Sequence, residues 1–201
     1  PDFEVEDAQI LIDIDDLAGR FNLNALLRQG QVDQVTLNRW ARLLELLDLP
    51  PVQLSQVGPL RELSQLRLLP GIDARLLQRL EPWVALLPTD VALNINSAPA
   101  LVLRTLGEVD AATADALALQ AATTPWASVQ AFTQDPLLSG QGLSSHGLGT
   151  HSRWYRIRVQ VIRGGRELHL ATDVGHDPKT QQLTVLQRRF FFPMSSHERP
   201  R

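Results

Sequence analysis

The stretch QILIDIDDLAGRFNLNALL, residues 9–27, changes character in the middle. Its first half places Ile10, Ile12 and Ile14 on one side of an extended chain and Leu11, Asp13 and Asp15 on the other, the period of two expected of a half-buried β-strand. Past Asp16 that period is lost, and the chain runs through Asn22 and Asn24 into sequence rich in Leu, Ala, Arg and Gln. The Asn-x-Asn pair returns in ALNINSAP, residues 92–99. Asn suits such places because its amide caps exposed backbone groups and its backbone tolerates turn geometry. Asn22, Asn24, Asn94 and Asn96 are therefore expected to be structural, at junctions where an extended segment enters a helix, and to contact no ligand. Replacing a capping Asn by Ala is expected to cost about 0.5–2 kcal/mol. GQVD at 30–33 and GEVD at 107–110 each precede a helical pattern, a faint internal echo.

From Leu26 to about Leu138 the chain falls into helical blocks separated by Pro and Gly. Asp33 is placed to cap a helix through TLNRWARLLELLDL, where Leu37, Trp40, Leu43, Leu44 and Leu47 follow 3–4 spacing and Pro50–Pro51 ends the run. Further helices are expected in GPLRELSQLRLL (58–69), in DARLLQRLEPWVALL (73–87) with a break near Pro82, in APALVLRTL with Pro99 at its start, and in DAATADALALQAA behind Asp110. After the Gly/Ser/His-rich stretch 139–152 the alternation resumes. RWYRIRVQVI, a Gly164–Gly165 turn, RELHLATDV and LTVLQRRFFF (183–192) make a three-stranded antiparallel meander. A lone strand at 9–15 has unpaired edges, so it is expected to pair with the meander, making the helical block an insertion. The fold class is α+β. The expected divisions are 1–24 for the first part of the sheet domain, 25–148 for the helical insertion and 149–201 for the rest of the sheet.

The 201 residues suffice for one large domain or two small ones, and a net charge of −3 gives no general attraction for nucleic acid or anionic lipid. Lys179 is the sole Lys, and there is no Cys, hence no disulfide or thiolate chemistry. No window approaches the roughly 18 apolar residues of a spanning helix. The chain opens at Pro1 on an acidic, strand-like approach, which reads as a fragment of something longer.

The tests for chemistry return little. LRLLPGIDARLLQRL, residues 66–80, has the outline of a helix-hairpin-helix, with Arg67, Arg75 and Arg79 available to a phosphate, and a nucleic-acid binder is the alternative function it raises. The acidic balance and Asp73 directly after the turn favour a plain chain reversal. DIDD (13–16) and TDVGHD (172–177) gather carboxylates of the kind that calcium takes, without EF-hand spacing. Calcium is left open as a cofactor and its ligands unassigned. His146 and His151 lie five apart in an aperiodic stretch and lack a third zinc ligand. A hydrolase built on His151 and Asp173 has no indicated nucleophile, and no catalytic or cofactor-binding motif is found.

Taken in order, ILIDIDDLAGRFNLNALL, LRLLPGIDARLLQRLEPWVALLP, VALNINSAPALVLRTL, ADALALQAATTPWASVQAF and WYRIRVQV resemble the GspK (XcpX-like) minor pseudopilins of bacterial type II secretion. The most specific parts are Asp16, Gly19, Arg20, Asn22 and Asn24, then Asn94 and Asn96 after LLPTDVAL. The resemblance implies a pilin-like sheet interrupted by a large helical domain, with an N-terminal leader and a long hydrophobic helix missing from this chain. It further implies a non-enzymatic, periplasmic part of an inner-membrane-anchored protein. That protein would join the minor pseudopilins GspI and GspJ at the pseudopilus tip, initiate or cap the filament beside other pseudopilins, and act near the secretin and secreted exoproteins. Some relatives bind calcium in the pilin-like part.

Overall fold

The computed structural model describes residues 2–5, 7–28, 30–54 and 59–190. The chain divides into two compact units, residues 1–17 with 153–201, and residues 18–152.

The first unit is a five-stranded antiparallel sheet. Its strands are β1 (Asp2–Val5), β2 (Ala8–Asp16), β3 (Trp154–Arg163), β4 (Arg166–His176) and β5 (Leu183–Phe190). They lie in chain order across the sheet, and the connection between β2 and β3 is the long one. The strand expected at 9–15 does pair with the meander: Ile10, Ile12 and Ile14 face Val161, Val159 and Ile157 in β3. Those in turn face Leu168, Leu170 and Thr172 in β4, while Phe3 faces Ile10 and Phe190 faces Leu170. Period-two alternation thus gathers one apolar side, on which Phe3, Ile14, Leu168 and Phe190 remain at least half exposed. Gly164 and Gly165, both at positive φ, make the expected β3–β4 turn, a conformation that costs Gly little. The β1–β2 hairpin was not foreseen as a pair; its four-residue first strand carries too little pattern to read. The expected meander strand reaches residue 192, and residues 191–192 lie outside the described residues.

The second unit holds the helices α1 (Gln34–Leu46), α2 (Ala74–Leu80), α3 (Ala100–Arg104), α4 (Ala111–Thr123) and α5 (Val129–Thr133). Asp33, Asp73, Asp110 and Ser128 cap four of them by accepting a backbone N–H from the first turn. Two apolar clusters form. One runs from Phe21 through Trp40, Leu43, Leu66 and Leu80 to Val84, the other from Ile95 through Leu103, Leu117 and Phe132 to Leu148, and Trp83 packs against both.

Three expectations need correction. The helix expected over 58–69 is only a 3₁₀ segment, Leu63–Leu68: Leu60, Leu63, Leu66 and Leu69, spaced by three, all reach the first apolar cluster, which suits three residues per turn better than 3.6; Gly58 lies outside the described residues. The block 73–87 is helical only to Leu80, after which Val84–Ala85 pairs in parallel with Phe21–Asn22. The contact division falls at 17/18 and 152/153 instead of 24/25 and 148/149, since Phe21, Leu23 and Leu26 belong to the first apolar cluster and Gly149 pairs with Asn94.

Candidate functional site: the Asn-x-Asn braces and the charged sheet face

Each Asn-x-Asn pair follows the same plan. At the first, Phe21–Asn22 makes a two-residue parallel bridge with Val84–Ala85. Asn22 Oδ1 accepts the N–H groups of Asn24 and Leu87, each at 3.1 Å, and its Nδ2 donates to the Pro88 carbonyl at 2.8 Å. Asn24 then behaves as a strand partner for a remote segment. Its Oδ1 accepts the Leu60 N–H at 2.7 Å, while its Nδ2 donates to the carbonyls of Leu60 at 2.9 Å and Leu87 at 3.1 Å. At the second pair, Leu93–Asn94 bridges Leu148–Gly149, and Asn94 Oδ1 accepts the Asn96 N–H at 3.2 Å. Asn96 Oδ1 accepts the Trp126 N–H at 2.9 Å, and its Nδ2 donates to the carbonyls of Trp126 at 3.0 Å and Thr150 at 3.2 Å.

A primary amide alone among side chains matches the donor and acceptor of one peptide group, so in each brace the second Asn satisfies buried backbone in a region without a ladder. Asn22 precedes the 3₁₀ turn Leu23–Leu26, as a junction residue should. Asn94 instead precedes a turn, and α3 begins only at Ala100 behind Pro99. The echo extends further: GQVD and GEVD supply Asp33 and Asp110, the caps of two helices of 13 residues each.

Beside the first brace, loop 139–149 is held onto α1. Arg39, itself buried, donates through Nη1 to the His146 carbonyl at 2.8 Å and through Nη2 to the Ser144 carbonyl at 3.0 Å. His146 Nε2 stands 2.5 Å from Asp33 Oδ2. Burial pushes the Asp33 carboxyl up, but the Thr36 N–H and His146 outweigh it and hold the group below the usual carboxylate range. A depressed folded value means that this stabilisation is present above the unfolded value of about 4 and is lost as the pH falls below it. Asp33→Ala is therefore expected to cost about 0.5–2 kcal/mol at pH 7 and less at pH 3, read from urea midpoints at the two pH values. An equal loss at both would mean that the carboxylate charge contributes nothing.

The polar side of the sheet engages the carboxylates noted in the sequence. Arg158 reaches both Asp13 and Asp15, and Arg156 grips Asp173 through Nε at 2.7 Å and Nη2 at 2.8 Å. Asp177 accepts the Lys179 N–H at 2.8 Å within the β4–β5 turn. Among the described residues no group of three His or acidic side chains is arranged to hold a metal ion. His151 meets Thr150 Oγ1 at 2.8 Å, and His197 lies outside the described residues. The Pro70–Gly71 turn does lead into α2, but Asp73 accepts the Leu76 N–H at 2.8 Å, so a carboxylate already occupies the position where a helix-hairpin-helix would seat a phosphate.

A family model described as type II secretion system (T2SS), protein K matches residues 93–151, from the second brace to just past its bridging partner Gly149. Proteins of that name match much more of the chain. The one from Klebsiella pneumoniae is 27% identical across 94% of this chain and 72% of its own length, and the one from Pseudomonas aeruginosa is 26% identical across 90% and 66%. The chain is thus similar to type II secretion system protein K over most of its length. A further protein K, from Pectobacterium carotovorum, is 32% identical over 64% of this chain, which spans 41% of that relative's length. A similar fold is seen in a solved structure of the GspK-GspI-GspJ complex of the enterotoxigenic Escherichia coli type 2 secretion system. A chain there superposes with a TM-score of 0.77 at 22% identity, covering 96% of this chain and 83% of that one. Among the described residues, no helix is long and apolar enough to cross a membrane.

Proposed function

We propose that this chain is the greater part of the periplasmic portion of a minor pseudopilin, which joins GspI and GspJ at the tip of the type II secretion pseudopilus and caps the filament during exoprotein export. The observation that carries the reading is the long detour between two paired strands. β2 and β3 are neighbours in one sheet, Asp16 opposite Tyr155, although residues 18–152 intervene as a unit of their own. A pilin-like filament repeats one heterologous contact, and a subunit whose oversized insertion obstructs the next addition ends the series. In this reading residues 18–152 are the insertion domain, and the Asn-x-Asn pairs are braces without ligands.

The sheet's apolar side suits the N-terminal hydrophobic helix that pseudopilins carry, which would anchor the full-length protein in the inner membrane. The role is mechanical, with no catalytic step assigned to any residue, and it takes in other pseudopilins as neighbours below and the secretin and exoproteins beyond the tip. A nucleic-acid role has no support from the Asp73-capped turn.

The test compares strains carrying the full-length protein with strains in which residues 18–152 are replaced by a short flexible linker, at matched protein levels. Longer pseudopili and impaired exoprotein secretion are expected from the deletion. Unchanged filament length with a stable, folded deletion protein would move the tip role away from the insertion.

A further inference from the structure

We infer that the outer edge of β5 is a strand-addition site for an extended segment of another protein that combines apolar residues with carboxylates. β5 ends the sheet order, and among the described residues no strand pairs with its outer side, so its outward N–H and C=O groups form a template for a further strand. Folded proteins usually blunt such edges with charge, short length or Pro. The opposite edge obeys that rule: β1 is four residues long and carries Asp2 and Glu4.

β5 does not. It has eight residues, begins LTVLQ without a charge and contains no Pro. Leu183, Val185, Leu186 and Phe190 are all exposed, the last at 71%. The edge is also chemically one-sided. Residues 179–190 contain Lys179, Arg188 and Arg189 and no carboxylate. A segment bearing a carboxylate opposite Arg188 and apolar side chains opposite Phe190 or Val185 would match it in charge and in hydrophobicity.

The ladder to β4 shifts register between Asp173 and Val174, which leaves Leu186 as the extra residue of a bulge. The bulge breaks the edge into two, and the continuous run Gln187–Phe190 holds Arg188. The inference concerns only the sheet unit and does not rest on the filament reading.

The experiment titrates a dye-labelled hexapeptide, EVDFEV, with the whole chain and follows fluorescence anisotropy. Saturable binding is expected, weakened about fivefold or more by Arg188→Glu, weakened by 0.5 M salt, and abolished when alternate peptide nitrogens are methylated. A charge-inverted peptide, KVKFKV, should bind more weakly to the parent and regain affinity for Arg188→Glu. Three results would each overturn the inference: no saturation at millimolar peptide, binding indifferent to Arg188→Glu, or full binding by the methylated peptide. Sedimentation of the chain alone is run alongside. Self-association that Arg188→Glu abolishes would make a second copy the occupant and would equally overturn it.

Discussion

An Asn24→Ala protein is expected to lose about 3 kcal/mol or more of stability, well beyond an ordinary cap. The usual figure of about 0.5–2 kcal/mol describes one capping contact at a partly exposed helix end. Asn24 is buried, and its amide satisfies three backbone groups, the N–H and C=O of Leu60 and the C=O of Leu87. Truncation leaves all three in an apolar surrounding made by Leu23, Leu26, Leu54 and Leu60, and each orphaned buried group costs about 1–3 kcal/mol where water cannot reach it. Asn24→Asp separates the contributions. A carboxylate still accepts the Leu60 N–H but turns negative oxygens toward two carbonyls, so it should be no better than Ala. Guanidinium unfolding monitored by tryptophan fluorescence reads the result. A loss of under about 1 kcal/mol would mean that Leu60 and Leu87 find other partners, and the brace would lose its standing as the organiser of the first cluster.

Gly19→Ala is expected to be comparably damaging for a steric reason. A Cβ at this position would lie 2.5 Å from the Ser97 carbonyl oxygen, 2.7 Å from its hydroxyl and 2.8 Å from its carbonyl carbon. Two of the three atoms are backbone, so no rotamer change relieves the overlap and a chain segment must move. Overpacking of this kind costs about 1–3 kcal/mol and occasionally more. Ser97 directly follows the second Asn-x-Asn pair, so Gly19 is where the approach to the first brace touches the exit from the second. A double mutant with Ser97→Gly should recover little, because the carbonyl remains. If Gly19→Ala melts within about 2 °C of the parent, the close approach is not maintained in solution.

The sheet and the capped helices were legible because each rests on local pattern. Ile10, Ile12 and Ile14 alternate over a long enough run to declare a strand, and Asp33, Asp73 and Asp110 stand directly ahead of their helices. What was missed depends on remote contacts. The 3₁₀ turn is the exception: Gln65 accepts the N–H groups of Arg61 and Glu62, four and three residues away, and the leucines spaced by three read equally as one face of an α-helix. The braces were legible as junctions but not as peptide mimics, since Leu60 and Trp126 lie 36 and 30 residues from Asn24 and Asn96. Arg158 between Asp13 and Asp15 shows the same limit: the carboxylates are visible in the sequence, whereas the cation that claims them comes from across the chain.

The pairing of β2 with β3 also dictates an order of events. Were residues 18–152 still unstructured, bringing Asp16 to Tyr155 would mean closing a very long loop, at an entropic cost of about 4 kcal/mol or more. If the inserted unit folds first, its own parallel bridges, Phe21–Asn22 to Val84–Ala85 and Leu93–Asn94 to Leu148–Gly149, fix both ends of that loop before the sheet begins to form. The insertion then acts as the closing device for the strands around it. Variants that weaken the braces should slow the appearance of the sheet in refolding experiments, although they lie in none of its strands.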